Sequence, residues 1–305
     1  MEKCLFVYNP VSGKGKIAKK EKKIVSMLES KYKVDVAISK YAGHIGEIIL
    51  ENGEDYDLLV VSGGDGTLNE VVNSLARLDK KPVLGYIPTG TVNDVAHSLY
   101  IPRNITRAVQ NILHGEVFKH DIFKMNDRYG IYVCCAGLFT ETSYATGQKA
   151  KKKMGKIAYA LHGIKKVFST PAVKLTLSYD GGEIDGKFAF MLFLNSRSVA
   201  GMRINRKALL NDGYIDVVLV KSKNDIVNLG AIGRVAFVFL RGIANKSYKG
   251  IVRLKLNRFN VTTTSDTVIN LDGEKIGEGS FNFEVIKEGV KIIVPSLKKL
   301  NKNSI

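Results

Sequence analysis

The sequence has no tryptophan and only three cysteines in 305 residues. Cys134 and Cys135 are neighbours, with α-carbons ~3.8 Å apart where a disulfide usually spans ~4.4–6.8 Å. No disulfide framework follows. CxxC and HxxxH spacings are missing too, which excludes the common structural zinc sites and makes the reducing cytoplasm the expected compartment. Long apolar runs are also wanting. FAFMLFL is short and AIGRVAFVFLRGIA carries Arg234 and Arg241, so neither approaches the ~18 uncharged residues of a membrane span. The opening CLFVYN is too short for a signal-peptide core and lacks a small-residue cleavage pattern. Acids are scarce, 29 against 46 Lys and Arg, and the net charge of +17 draws polyanions: nucleic acid, anionic membrane or phosphorylated small molecules. Specific nucleic-acid binding is disfavoured, because the basic runs lack interleaved aromatics for base stacking and carry no known motif.

What is present has two textures. At 45% hydrophobic the chain can form two cores of ordinary size. Over the first 115 or so residues, the strand-like runs CLFVYN, VDVAIS, DLLVVS and PVLGYIP alternate with helical spacing. Leu68, Val71, Val72 and Leu75 share one face, as do Val92, Val95, Ala96 and Leu99, and then Ile105, Ala108, Val109 and Ile112, with Gly115 as a stop. That alternation predicts a mostly parallel sheet covered by helices. From about residue 125 a period of two takes over, as in VKLTL from Val173 and IVRLKL from Ile251. Asp180-Gly181-Gly182 and Glu288-Gly289 read as hairpin signals. This predicts an antiparallel β domain interrupted by helices at 155–168 and 225–243.

Three glycine-bearing turns leave the carboxyl ends of the first-half strands: NPVSGKGK from Asn9, SGGDGT from Ser62 and PTGTVND from Pro88. Ligands of open α/β sheets bind at that edge, and glycines followed by a helix N-terminus suit a phosphate. Neither a P-loop nor a GxGxxG fingerprint occurs, so an ordinary P-loop kinase or dehydrogenase is disfavoured. Asp65 is the oddity. Thr67 and Glu70 have the spacing of a capping box, which would put Asp65 before the helix and among glycines. An acid beside phosphates is repulsive unless a divalent cation intervenes, so Asp65 points to magnesium. Thr91 and Asp94 allow a looser cap, and for Asp94 a purely helix-capping role stays open. NDGYID from Asn211 and NLDGE from Asn270 can each be a plain hairpin turn.

Together these motifs resemble the diacylglycerol kinase catalytic-domain superfamily of soluble lipid kinases: NPVSGKG, GGDGTLNEVVNSL, PTGTVNDVA, Asp121 in HDIF, LLNDGYID and LDGE. GGDGT alone is shared with NAD kinases; its combination with GTxND and a late DGE is far more specific. The resemblance implies an α/β N-terminal nucleotide-binding domain (1–124, with the tail 293–305 returning to it), an antiparallel β-sandwich lipid-substrate domain (125–292) and a cleft between them. It implies transfer of the terminal phosphoryl group of ATP to a lipid hydroxyl, diacylglycerol or a related membrane lipid, with magnesium. ATP would meet Asn9, Pro10, Ser12, Gly13, Ser39 (where the family pattern resembles threonine), Gly63, Gly64, Asp65, Gly66, Thr67, Asn69 and Thr91. Asp65 would organise magnesium, and Asp94 and Asp121 would extend an acidic network to the transferred phosphate. Asp212 and the carbonyl of Tyr214 would hold a second, structural magnesium, with Asp216 in support. Glu274 would be the general base. NAD kinase and a catalytically silent lipid- or nucleotide-binding relative are the alternatives.

One segment departs from the pattern. Ala200-Gly-Met-Arg-Ile-Asn-Arg-Lys-Ala lacks the first of the usual paired glycines and the proline, and gains Arg203 and Arg206; if these face substrate they favour an acidic acceptor. The run KAKKKMGK from Lys149 adjoins the amphipathic stretch 155–168, which suggests transient contact with an anionic membrane at the inner face of the cell. A homodimer is compatible with the sequence.

Overall fold

The structure is a computed structural model that describes residues 1–138, 170–243, 248–263, 267–276 and 279–302. The expected helix at 155–168 and the lysine run at 149–156 lie outside the described residues. Two compact units emerge: Met1–Tyr132 with Asn195–Gly213 and Val285–Ile305, and Val133–Leu194 with Tyr214–Glu284.

The first unit alternates β1 (Glu2–Tyr8), α1 (Glu21–Leu28), β2 (Tyr32–Ile38), α2 (His44–Asn52), β3 (Leu58–Gly63), α3 (Asp65–Leu75), β4 (Val83–Pro88), α4 (Asp94–Ser98) and α5 (Ile105–His114). It continues with β5 (Glu116–Met125) and β6 (Arg128–Gly130). The strands pair in parallel in the order β2-β1-β3-β4. Alternate residues of β1 explain the layering. Cys4, Phe6 and Tyr8 join Ile24 and Leu28 of α1 and Ala108, Val109 and Ile112 of α5 in one core, while Leu5 and Val7, on the other face, are buried as well. A sheet covered on both faces needs such unbroken apolar runs. The register lines up the carboxyl ends, Tyr8 with Ser62 and Gly63 with Pro88, so the three glycine turns leave from one edge. Gly115 ends α5 as expected, its N–H donating to Asn111 at 2.7 Å.

The second unit is antiparallel among its described strands: β7 (Val133–Gly137), β8 (Val173–Tyr179), β9 (Gly182–Leu194), β10 (Ile215–Lys221), β11 (Ile251–Leu256), β12 (Arg258–Thr263), β13 (Ile269–Leu271) and β14 (Glu274–Ile276). The 13-residue β9 is its spine. The amino-terminal half pairs β8 and the carboxyl-terminal half pairs both β7 and β10. Helix α6 (Leu229–Arg241) realises the helix expected at 225–243. Phe193, Phe259 and Phe283 pack with ring centroids 4.7–5.3 Å apart, the offset geometry aromatic rings prefer.

Strand β15 (Ser280–Val294) enters both units. Residues 280–284 pair with β12, whereas Ile292 lies parallel to Leu84 of β4. The Glu288-Gly289 hairpin signal is therefore corrected: the chain continues in the same strand without reversing. Glu288 takes a left-handed φ of 54°, and its N–H donates to the Asp121 carboxylate at 2.7 Å, which accommodates a kink without a turn. The division also differs from the boundaries at 124 and 292, since 125–132, 195–213 and 285–292 belong to the first unit. Hydrogen bonds explain the assignment of 195–213: Asn195 donates to the Asp121 carbonyl at 2.7 Å and Asp121 N–H to the Leu210 carbonyl at 2.8 Å. The tail is pinned in the same unit. Asn111 donates to the Ile293 carbonyl, and Arg197 to the Leu300 carbonyl in the final helix, α7 (Leu297–Lys302).

His120 in β5 is 1% exposed, and its Nδ1–H donates to the Asp121 carbonyl. Burial lowers its pKa to about 4, below the ~6.5 of an unfolded chain. The unfolded state thus binds the extra proton first, so stability is full above pH ~6.5 and falls as pH drops toward 4. The shift corresponds to about 3 kcal/mol. Chemical denaturation between pH 7 and 4 should show this slope, and His120→Gln should flatten it.

Candidate functional site

The three turns of the first unit are packed backbone to backbone. A Cβ on Gly64 would lie 3.2 Å from the Gly90 α-carbon, and one on Gly90 would lie 2.5 Å from that of Gly64. Gly13, at φ 59°, sits where a Cβ would meet Thr89 at 3.0 Å. No side chain larger than hydrogen fits at Gly90 without separating the turns. Asn9 shapes its own loop, its Oδ1 accepting from Val11 N–H at 3.0 Å, and Ser12 and Gly13 continue into a short 3-10 helix after Pro10. Gly66 is different: a Cβ there would meet nothing within 4 Å. Its position in the first turn of α3, beside amides that lack intrahelical partners, is a cradle for an anion.

The capping-box expectation for α3 is corrected. The helix begins at Asp65 after an N-cap at Gly64, so Thr67 is already helical and Asp65 is its first residue. Glu70 does not turn back to a cap; its carboxylate accepts from Gly46 N–H of α2 at 2.7 Å. Thr67 instead fills the space a side chain at Gly63 would need, 2.3 Å from the Cβ position. Val92 is likewise outside α4, which starts at Asp94 with Asn93 as N-cap.

The Asp65 carboxylate lies at the N-terminus of α4, accepting from Val95 N–H at 3.4 Å. Burial raises its pKa and the neighbouring charge of Asp94 adds to the rise, while the amides of Asn93, Asp94 and Val95 oppose it. Two acids close enough to repel one another, one of them half-buried, suit a cation. Ser39 supplies a second opening. It is 4% exposed, its N–H donates to the Tyr8 carbonyl at 3.0 Å, and its Oγ has no hydrogen-bond partner among the described residues. Buried hydroxyls are rarely left so, and a ligand at the strand edge can satisfy it.

Two residues that sequence reasoning missed hold this edge. Asn93, 1% exposed and left-handed at φ 57°, accepts from Gly90 N–H at 2.9 Å and donates to the Gly90 carbonyl at 2.8 Å. Tyr86 is fully buried in β4, and its hydroxyl donates to the Gly63 carbonyl at 3.1 Å. Asn is among the few residues that visit the left-handed region readily, so Asn93 carried a faint signal; Tyr86 carried none. The Asn69 side chain is buried and donates to the Tyr129 carbonyl at 3.1 Å, which ties α3 to β6. Thr91 is exposed, its carbonyl accepting from Arg103 at 2.7 Å.

Asp94 and Asp121 each grip the segment 195–213. Asp94, 3% exposed, accepts from Ser198 Oγ at 2.6 Å and from Gly201 N–H at 2.9 Å. Asp121, 0% exposed, accepts from Gly213 N–H at 2.6 Å and Glu288 N–H at 2.7 Å. Its pKa is raised by burial despite those two bonds. The departing segment is thus a clamped hairpin. Val199 and Met202 exchange both backbone hydrogen bonds, and Ala200 and Gly201 turn between them with φ of 52° and 80°. A left-handed alanine stands where the family pattern has glycine. Arg203 lies 4.8 Å over the Tyr100 ring and donates to the His97 carbonyl at 3.4 Å; Arg206 is exposed.

In the second unit, Asp272 and Gly273 form the two-residue turn between β13 and β14, both with positive φ, 49° and 95°, as a type I′ hairpin requires. Asp272 and Val133 exchange hydrogen bonds at 2.8 Å, and Asn270 Oδ1 accepts from Gly273 N–H at 2.9 Å. Glu274, exposed, leaves this braced turn as the first residue of β14. The role of Asp272 was not read from the sequence, although LDGE was. Asp212 precedes Gly213 in the first unit; Tyr214, exposed, opens the second. Asp216 in β10 is buried with its carboxylate 3.3 Å from the Arg253 guanidinium. No three acidic, His or Cys side chains among the described residues form a metal-binding group. Magnesium commonly needs only one or two carboxylates, with phosphate and water completing its shell, so Asp65 and Asp94 fit that ion with bound phosphates.

Glycine turns gathered at the carboxyl edge of a parallel sheet, with a helix N-terminus following, define a phosphate-binding α/β class of protein. Comparison with known proteins specifies it. The diacylglycerol kinase catalytic domain matches residues 3–125. A diacylglycerol kinase of Staphylococcus carnosus (strain TM300) is 34% identical over 300 residues, 96% of this chain and 95% of the relative. Another, of Staphylococcus aureus (strain bovine RF122 / ET3-1), is 35% identical over 302 residues, 97% and 93% of the two chains. A crystal structure of a diacylglycerol kinase from Bacillus anthracis str. Sterne aligns with TM-score 0.78 at 25% identity, covering 96% of this chain and 97% of that one. A second structure from the same organism aligns at 0.82 with 26% identity. The chain belongs to the diacylglycerol kinase family of lipid kinases.

Two glycines separate packing from ligand approach. Gly90→Ala should lower both stability, by about 1–3 kcal/mol, and turnover, by about 10²-fold. Gly66→Ala should raise or preserve the melting temperature, as alanine favours a helix, yet still lose turnover. Calorimetry paired with phosphoryl-transfer rates checks both. Ala200→Gly should stabilise by about 0.5–1 kcal/mol in urea denaturation, the relief of a left-handed alanine less the added freedom of the unfolded chain.

Proposed function

We propose that the chain transfers the γ-phosphoryl group of ATP to the hydroxyl of diacylglycerol or a related membrane lipid, with magnesium, as a cytoplasmic protein that visits the inner face of the membrane. The observation that carries this reading is the convergence of three glycine turns beside the unpartnered Ser39 hydroxyl. The names of the full-length relatives supply the acceptor.

In this reading the amides of the α3 N-terminus, with Gly66 open above them, receive phosphate oxygens, and Ser39 takes a hydrogen bond from the nucleotide or gives one to it. Magnesium, held by Asp65 and Asp94, would supply charge neutralisation for the phosphates. Phosphoryl transfer is mainly positioning and electrostatics, so the remaining chemistry is removal of the acceptor proton. Glu274 accepts it as the P–O bond forms. Asp121 positions the 210–213 turn that carries Asp212, and Asp216 with Arg253 secures the start of β10.

Incubation with γ-labelled ATP, a mixed lipid extract, NAD and water tests the assignment. Label should enter lipid; label in NADP would mark an NAD kinase, and label in neither lipid nor NADP a silent relative. Glu274→Gln should reduce lipid phosphorylation by roughly 10²–10⁴-fold and leave nucleotide binding intact. Near-normal turnover in that variant would remove Glu274 as the base.

A further inference from the structure

Helix α6 is apolar on two opposite faces. Ala231, Val235 and Val238 form its buried face, and Phe239 meets Phe190 of β9 with ring centroids 5.9 Å apart. The opposite stripe, at the 3.6-residue period, should be polar in a surface helix. It consists of Leu229, Gly233, Ala236 and Leu240, all exposed, with Leu229 at 72% and Leu240 at 86%. Ile226, 55% exposed, extends the patch just before the helix. Thirteen residues span ~20 Å as a helix, short of the ~30 Å hydrocarbon core of a bilayer, so α6 can lie in a membrane interface and cannot cross.

The surroundings select the occupant. Among the described residues between 221 and 255 there are seven Lys and Arg and one acid, Asp225, which is paired with Lys187 at 2.7 Å. The helix itself contains no acid and carries Arg234 and Arg241. Arg234 is held to the side, donating to the Lys221 carbonyl at 2.8 Å. Two copies meeting through this stripe by a two-fold axis would oppose the same positive surroundings, a like-charge juxtaposition that disfavours the pair. An anionic bilayer satisfies both features, taking the leucines into its interface and the cations among its headgroups.

We infer that α6 is a membrane-docking element that inserts Leu229 and Leu240 into an anionic lipid surface. The inference rests on the lipid-kinase reading and gives its membrane contact a place in the second unit.

The absence of tryptophan makes the test direct. Leu240→Trp places a single indole at the stripe. Mixed with phosphatidylglycerol and phosphatidylcholine vesicles, without ATP or diacylglycerol, its emission should shift to the blue and be quenched by brominated acyl chains. The shift should fade with phosphatidylcholine alone. The full-length double variant Leu229→Asp/Leu240→Asp should pellet with the anionic vesicles about tenfold less or lower still, at an unchanged melting temperature and with unchanged phosphorylation of a dispersed short-chain acceptor. Equal pelleting by that variant, an unshifted indole on bound protein, or no vesicle binding by the parent would overturn the inference. So would a blue shift that needs protein concentration and no vesicles, which would make the stripe a self-interface. Docking without phosphoryl transfer to any lipid would sustain the surface while removing the kinase reading; transfer to dispersed lipid without docking would do the reverse.

Discussion

The approach of Gly64 to Gly90, two backbones in contact with no side chain between them, is the constraint around which the first unit is arranged. It determines how closely the GGDG and GTVND turns meet, and so which amides can face one anion together. The parallel register of β3 and β4 brings the turns to the same edge. Tyr86 and Asn93 then fix their carbonyls and amides at hydrogen-bond distance. A methyl group at Gly90 would force the turns apart, since its Cβ would lie 2.5 Å from the Gly64 α-carbon, whereas one at Gly64 would press on Gly90 at 3.2 Å.

The acids of this unit are spent first on architecture. Asp65 sits at the amides of α4, Asp94 holds Ser198 and Gly201, and Asp121 holds Gly213 and Glu288. Each replaces solvent with charge-assisted hydrogen bonds, which are stronger than neutral ones. Through these bonds the segment 195–213, distant in sequence, becomes part of the α/β unit. A carboxylate that shapes a turn and also presents charge to a phosphate couples the two tasks, since neutralising the charge would loosen the turn. The left-handed Ala200 beside Gly201 shows how firmly Asp94 imposes the hairpin.

The elements of the first unit were legible because their cause is local. Periodicity marked β1 to β4, α3 and α5, and the Asp180-Gly181 turn closed its hairpin as expected. Errors arose where one local signal admits two tertiary outcomes. Glu288-Gly289 has turn chemistry, yet Asp121 converts it into a kink. Thr67 and Glu70 have capping-box spacing, yet Glu70 is drawn off by Gly46. Within the candidate site the glycines and acids could be found from their motifs, while the Tyr86 hydroxyl and the Asp272 grip on Val133 could not. Both partners of those two lie at remote positions that no short window contains.

The amino-acid order by itself determined the two textures, the three phosphate-fitting turns and the family, because each depends on neighbours a few residues apart. Tertiary structure alone decided that Asp94 and Asp121 clamp a distant segment, that Ser39 keeps an unpartnered hydroxyl at the strand edge, and that α6 shows leucine where a surface helix shows charge. Burial and hydrogen-bond partnership are properties of the packed chain, and the same side chain takes either role according to what folding brings against it.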